Sequence, residues 1–141
     1  IRDRIPGAGA TGAMGAGIIA FLGGELKSGI ETVLDVANFD EELCDTQLIF
    51  TGEGRIDSQS FDGKVLSGIT ARARRAGAPV VVVAGSVDDS ADAAYCTGVY
   101  GIFSINSLAV DFAVSRDKSS ENLERTMEAI LVIVHRSMSF S

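Results

Sequence analysis

Pro79 introduces Val80-Val81-Val82-Val83-Ala84, an unbroken apolar run with no polar side chain to turn toward water. A half-solvated strand alternates, so this run reads as a strand covered on both faces, as in a parallel sheet under helices. Residues 47–51 and 99–105 read as further strands. Between the first pair, 64–76 reads as a helix with Val65, Leu66, Ile69 and Ala73 inward and Gly77 as its stop. Arg72, Arg74 and Arg75 sit near its negative C-terminal end. Strand, helix, strand at a spacing of roughly 30 residues is the mark of right-handed βαβ units, so the fold class is α/β. Three parallel strands are few for an independent sheet, and strands from elsewhere in the chain or from a partner are expected to complete it.

The segment ahead of the strands is helical. Met14, Ile18, Phe21 and Leu22 recur at helical spacing over 7–22, and Gly23-Gly24 stops the pattern. Ser28 and Glu31 form a capping box for a second helix with Ile30, Val33, Leu34 and Ala37 as its apolar stripe. Asp40 is expected to cap one more turn through Leu43. After the valine run, Gly85-Ser86 reads as a turn into an acidic loop, with Ser90 capping a helix over 91–97. Residues 106–118 read as a polar loop. A last helix over 120–138 carries Leu123, Met127, Ile130, Leu131 and Val134 on its docking stripe.

Composition excludes several classes. Net charge is −7 with a sequence pI near 4.6, and no basic stripe offers itself to nucleic acid. An apolar fraction of 46% supports a real core. No apolar run approaches the ~18 residues of a membrane span, and no signal peptide is visible. Cys44 and Cys96 are widely spaced and without metal-ligand neighbours, so they read as free, reduced and partly buried. These features point to a cytoplasmic protein with no nucleic-acid or membrane partner. The chain starts at Ile1 without Met, and is expected to be part of a longer protein.

Chemistry concentrates in Leu48-Ile49-Phe50-Thr51-Gly52-Glu53-Gly54-Arg55-Ile56-Asp57-Ser58-Gln59-Ser60-Phe61-Asp62-Gly63-Lys64. A short strand is expected to open at Thr51 into a glycine-broken loop carrying carboxylates, an Arg, a Lys and hydroxyls. Open α/β sheets place ligands at such strand ends. Glu53, Asp57 and Asp62 have the chemistry of magnesium ligands or a general base, although each alone suits a cap or a turn. Gly85-Ser86-Val87-Asp88-Asp89, at the end of the neighbouring strand, would face the same crevice and is a second candidate.

Two better-known glycine motifs fail. Gly7-Ala8-Gly9-Ala10-Thr11-Gly12 fits G-x-G-x-x-G, but the charged residues before it make no strand, so a nicotinamide site is not expected. Gly63-Lys64 ends like a Walker loop, yet Ser58 stands where its first glycine belongs and Val65 follows Lys64. Lys64 remains a point charge at a helix N-terminus, suited to phosphate. His135, alone in the last helix, reads as a surface residue, and Met14, Met127 and Met138 as core or edge filler.

Thr51-Gly52-Glu53-Gly54-Arg55-Ile56-Asp57-Ser58-Gln59-Ser60 followed by Gly63-Lys64 closely resembles the glycerate kinase family of bacterial type. The resemblance extends through Pro6–Ala10, Phe21–Glu31 and Val83–Ser86, nearly the whole chain. Leu66, where that family commonly has Pro, is among the few departures, and Thr11 and Ala13 are others. The resemblance implies a two-domain enzyme of which this chain is a C-terminal portion. Residues 1–46 would be a helical segment of a second, glycine-rich domain, and 47–141 a Rossmann-like α/β portion with flanking helices. It implies ATP-dependent phosphorylation of D-glycerate with Mg2+, in partnership with the rest of the enzyme and in a possible homo-oligomer. The alternative is a non-catalytic α/β module that binds an anionic or phosphorylated small molecule. On the kinase reading Asp57 would hold magnesium or polarise the glycerate hydroxyl, with Glu53 supporting it. Lys64 would neutralise phosphate charge and Arg55 would clamp a carboxylate or phosphate. Gly52, Gly54 and Gly63 would let backbone approach the ligand, and Gln59, Ser60 and Ser86 would supply hydrogen bonds.

Overall fold

The computed structural model describes residues 10–61, 65–106 and 112–139. They fall into two compact units, Ile1–Ala37 and Asn38–Ser141. In the first, helix α1 (Ala10–Leu22) stops where Gly23 takes a φ of +63°, a conformation glycine adopts without steric cost. The stripe expected to face inward is largely solvated, with Met14 63% and Phe21 88% exposed. Glycine, alanine and Ile19 fill the positions between Met14 and Leu22 that the stripe leaves, so this part of α1 is apolar all round and has no distinct inward face. Helix α2 (Gly29–Val36) follows Ser28, but the hydroxyl makes no cap. Instead the Ser28 carbonyl accepts both the N–H and the hydroxyl of Thr32, each at 3.1 Å. The serine half of the capping box is therefore not made.

The second unit opens with α3 (Phe39–Glu42) and a single 3-10 turn, Leu43–Asp45. Asp40 lies inside α3 rather than capping it. Its carboxylate accepts a hydrogen bond from Arg72 at 3.1 Å. Arg72, only 5% exposed, thus answers a carboxylate in space rather than a helix dipole.

Strands β1 (Ile49–Ile56), β2 (Val80–Val87) and β3 (Val99–Ser104) form a parallel sheet in the order β1-β2-β3. Helix α4 (Val65–Ala76) crosses between the first two, and Gly77 ends it at φ +75°. The valine run is covered on both sides. Val80, Val82 and Ala84 pack with Ile56, Leu66 and Ala73 under α4. Val81 and Val83 pack with Ile130 of helix α6 (Ser119–Met138) on the other face. Full burial of one such side chain contributes about 1.5–3 kcal/mol, so this strand anchors the unit.

Several expectations are corrected. Val65, expected inward, is 49% exposed because it stands at the first position of α4, and Leu66 takes the core position. The segment after β2 is a 3-10 helix, Asp89–Thr97, capped by Asp88, whose carboxylate accepts the Ser90 N–H at 3.1 Å. Ser90 is therefore the capped residue, not the cap. Within the segment read as a loop, Phe112–Asp117 is helix α5. On α6, Met127, Ile130 and Val134 face the core, whereas Leu123 and Leu131 are 44% and 49% exposed. Cys44 and Cys96 are free as expected but exposed rather than partly buried. No described helix is long and apolar enough to cross a membrane.

Candidate functional site

The stretch expected to be a loop from Thr51 is strand as far as Ile56. Its pairing explains why: Gly52↔Val83, Glu53↔Ala84, Arg55↔Ser86 and Ile56↔Val87 continue the ladder into the part of β2 whose sequence reads as a turn. Neither Gly52 nor Gly54 has a positive φ, so both glycines lie in ordinary extended backbone. The offset between the two strands is the same on either side of Gly54, so no residue is inserted there. Ile49 and Ile56, which strict alternation would set on opposite faces, pack into the same cluster, so the alternation is lost between them.

Three glycines meet at these strand ends for different reasons. A Cβ on Gly85 would lie 2.6 Å from the Gly54 carbonyl oxygen, too close for any side chain. Among the described residues a Cβ on Gly54 would meet nothing within 4 Å, and one on Gly52 only the Val83 carbonyl at 4.0 Å. Gly85 is thus required by the neighbouring strand. Among the described residues nothing in strain or crowding requires glycine at 52 or 54.

Past the strand end, the chain turns through Ser58–Phe61, and this turn gathers the polar groups. Ser60 Oγ accepts the Asp57 N–H at 3.0 Å and donates to Asp57 Oδ1 at 3.1 Å. Arg55 Nε stands 3.8 Å from Asp57 Oδ2, and its Nη2 donates to Asp88 Oδ2 at 3.0 Å. The Asp88 N–H in turn donates to the Ile56 carbonyl at 2.9 Å, and Ser58 N–H to Ser90 Oγ at 3.0 Å. The ends of β1 and β2 are therefore laced together by side chains and backbone. Asp88 is held below the ordinary carboxylate range, first by the Ser90 N–H, then by the Ser90 hydroxyl and by Arg55.

The structure thus brings Arg55, Asp57 and Ser60 together and adds Asp88 and Ser90 to them. Glu53 stands apart from that cluster, on the wall of a hollow of about 520 Å³ shared with Gly52, Val83, Gly85, Leu123 and Met127. Ser86 is exposed and pairs with Arg55 in the register. The Gln59 side chain, Asp62, Gly63, Lys64 and the first glycines of the segment at 7–12 lie outside the described residues. Asn106 escaped the sequence reading. Its Nδ2 donates to the Gly85 carbonyl at 2.6 Å and its Oδ1 accepts from Asn122 of α6 at 3.4 Å. The available signal was its position just beyond the carboxyl end of a third parallel strand.

The donor chemistry suits a hard cation only in one manner. Asp57 offers a carboxylate, 35% exposed, at the end of β1. Among the described residues no three His, Cys, Asp or Glu gather as a metal cage. One carboxylate completed by water and substrate phosphate oxygens is how Mg2+ is commonly held, so the residues present fit that ion.

Fold and site together define an α/β protein with a cluster of charged and hydroxyl side chains at the carboxyl ends of a parallel sheet. The particular family follows from comparison. The chain matches the glycerate kinase family over residues 2–135 and belongs to that family. It is 42% identical over 131 residues to a glycerate kinase of Bacillus cereus, covering 93% of this chain and 34% of that protein. It is 48% identical over 101 residues to the glycerate 2-kinase of Escherichia coli, covering 72% of this chain and 26% of that protein. A crystal structure described as a glycerate kinase 2 from Salmonella typhimurium LT2 superposes with a TM-score of 0.71 at 34% identity, covering 94% of this chain and 34% of that one. The chain spans about a third or less of the length of these relatives.

Proposed function

We propose that this chain is the C-terminal part of a cytoplasmic kinase that transfers the γ-phosphoryl of ATP to a hydroxyl of D-glycerate. Residues 1–46 then belong to a second, glycine-rich domain and 47–141 to the Rossmann-like one, and catalysis needs the remaining polypeptide that the relatives possess. What most supports this reading is the pair Gly52 and Gly54, three and one residues ahead of Arg55 along a strand end, whose missing side chains neither strain nor crowding among the described residues accounts for. Open space over glycine backbone is what close approach of a phosphate chain requires.

Phosphoryl transfer asks a protein mainly for alignment and charge neutralisation. Asp57, fixed by Ser60, is the group to hold Mg2+ or to polarise the acceptor hydroxyl, with Glu53 supporting it from the neighbouring hollow. Bound there, Mg2+ would neutralise phosphate charge. Arg55, poised between Asp57 and Asp88, is the clamp for substrate carboxylate or phosphate. Lys64 and Gly63 complete the phosphate side, and Gln59 and Ser86 supply hydrogen bonds.

The test is kinetic and calorimetric, on the full-length enzyme. Asp57→Asn should lower kcat by roughly 10²–10⁴-fold with the fold intact by circular dichroism. Near-normal turnover refutes the role assigned to Asp57. Mutually dependent binding of Mg-ATP and D-glycerate supports the kinase. Anion binding indifferent to magnesium supports the non-catalytic module instead.

A further inference from the structure

Helix α6 is apolar on two opposite faces. Met127, Ile130 and Val134 pack against the sheet. On the reverse face Glu128, Leu131, Val132, His135 and Arg136 line an open groove of about 600 Å³. Leu131 and Val132 are 49% and 54% exposed there. The solvent side of a surface helix is normally polar, so two aliphatic residues at its centre call for a cover.

The charges at the ends of this groove specify the cover. Glu128 lies four residues before Val132 and Arg136 four residues after it. At about 1.5 Å per residue, each stands ~6 Å from Val132 along the axis, on opposite sides. Among the described residues neither makes an ion pair. A second α6 laid antiparallel, with a two-fold axis at Val132, sets Glu128 against the partner subunit's Arg136, and symmetry repeats the pair. A parallel arrangement would oppose like charges. The aliphatic centre is then covered by its own copy, as an isologous contact requires.

We propose that this face of α6 docks antiparallel on the same face of a second copy of this chain. One helix pair covers less than the ~800 Å² per partner of a standard stable interface, so the association is reversible and concentration-dependent. The experiment is sedimentation velocity of the full-length protein over a concentration series, for the parent, E128R, R136E and the E128R/R136E double variant. The parent should show a monomer–dimer equilibrium that weakens with salt. Each single reversal should raise the dimer Kd by roughly tenfold or more, because symmetry turns two attractive pairs into two repulsive ones. The double variant should regain the parent Kd within about threefold. Both positions are exposed, so circular dichroism should be unchanged in all the variants. Three results overturn the proposal: a parent that stays monomeric throughout, as when another segment or another protein covers the groove; a dimer indifferent to the single reversals; or a double variant no better than the singles.

Discussion

Arg55 and Asp88 are 33 residues apart in the chain, and their side chains meet at 3.0 Å across the ends of β1 and β2. With Asp88 also accepting the Ser90 N–H and hydroxyl, its carboxyl pKa lies below the ordinary 3.8. The sign follows from linkage. A lowered folded pKa means stabilisation that is complete above 3.8 and disappears as pH falls through the folded value. Asp88→Asn should therefore lower the urea midpoint at about pH 6, and the gap to the parent should close as pH is taken toward about 2. A gap constant across that range would mean that the carboxylate charge is not what matters.

Gly85 and Gly54 should separate stability from ligand approach. A methyl on Gly85 meets the Gly54 carbonyl at 2.6 Å, and neither strand can move without breaking the ladder. Gly85→Ala should cost about 1–3 kcal/mol in urea unfolding. Gly54→Ala points into open space among the described residues and should change stability by less than ~0.5 kcal/mol. In the full-length enzyme Gly54→Ala should nonetheless reduce kcat/KM for the nucleotide by at least about tenfold, the cost of obstructing phosphate. Unchanged kinetics would mean that no phosphate passes close to this glycine.

These same residues mark how far the sequence could be read. The valine run at Val80 and the stop at Gly77 were legible because each depends on its own side chain or on glycine's freedom. The extent of β1 was not. Gly52, Glu53, Gly54 and Arg55 have loop-like composition, and only their pairing with Val83, Ala84 and Ser86, some 30 residues away, makes them strand. Likewise Asp88 and Ser90 are both competent caps, and the choice is made by Arg55 and Ser58, which bind them from β1 and the turn after it. The candidate cluster was legible as a composition of charges, its internal geometry was not, and Asn106 had no local signal beyond its place after a strand.

Asn106 gives a test of that non-local part. It ties the Gly85 carbonyl to Asn122 of α6, linking the strand end to the helix that covers one face of the sheet. Asn106→Ala should cost about 1 kcal/mol, since it removes a partly buried donor from a carbonyl that is left under-satisfied. The expected fall in Tm is roughly 2–5 °C by calorimetry. A neutral substitution would show that water replaces the amide at no cost.

Ser60 is the sharpest probe of the site itself. It is 8% exposed, and its hydroxyl both accepts the Asp57 N–H and donates to the Asp57 carboxylate. The two contacts close a small ring around one side chain, so they select a rotamer rather than add much energy. Ser60→Ala should cost about 1 kcal/mol of stability through the orphaned N–H. On the kinase reading it should also lower kcat by roughly 10–100-fold, with a smaller change in the glycerate KM, because an Asp57 that has lost its Ser60 contacts is less firmly aimed. Ser60→Thr keeps the hydroxyl and should recover most of the turnover if the added methyl fits. If the kcat of Ser60→Ala instead falls only in proportion to its unfolded fraction, Ser60 merely holds the turn, and the orientation of Asp57 has another source.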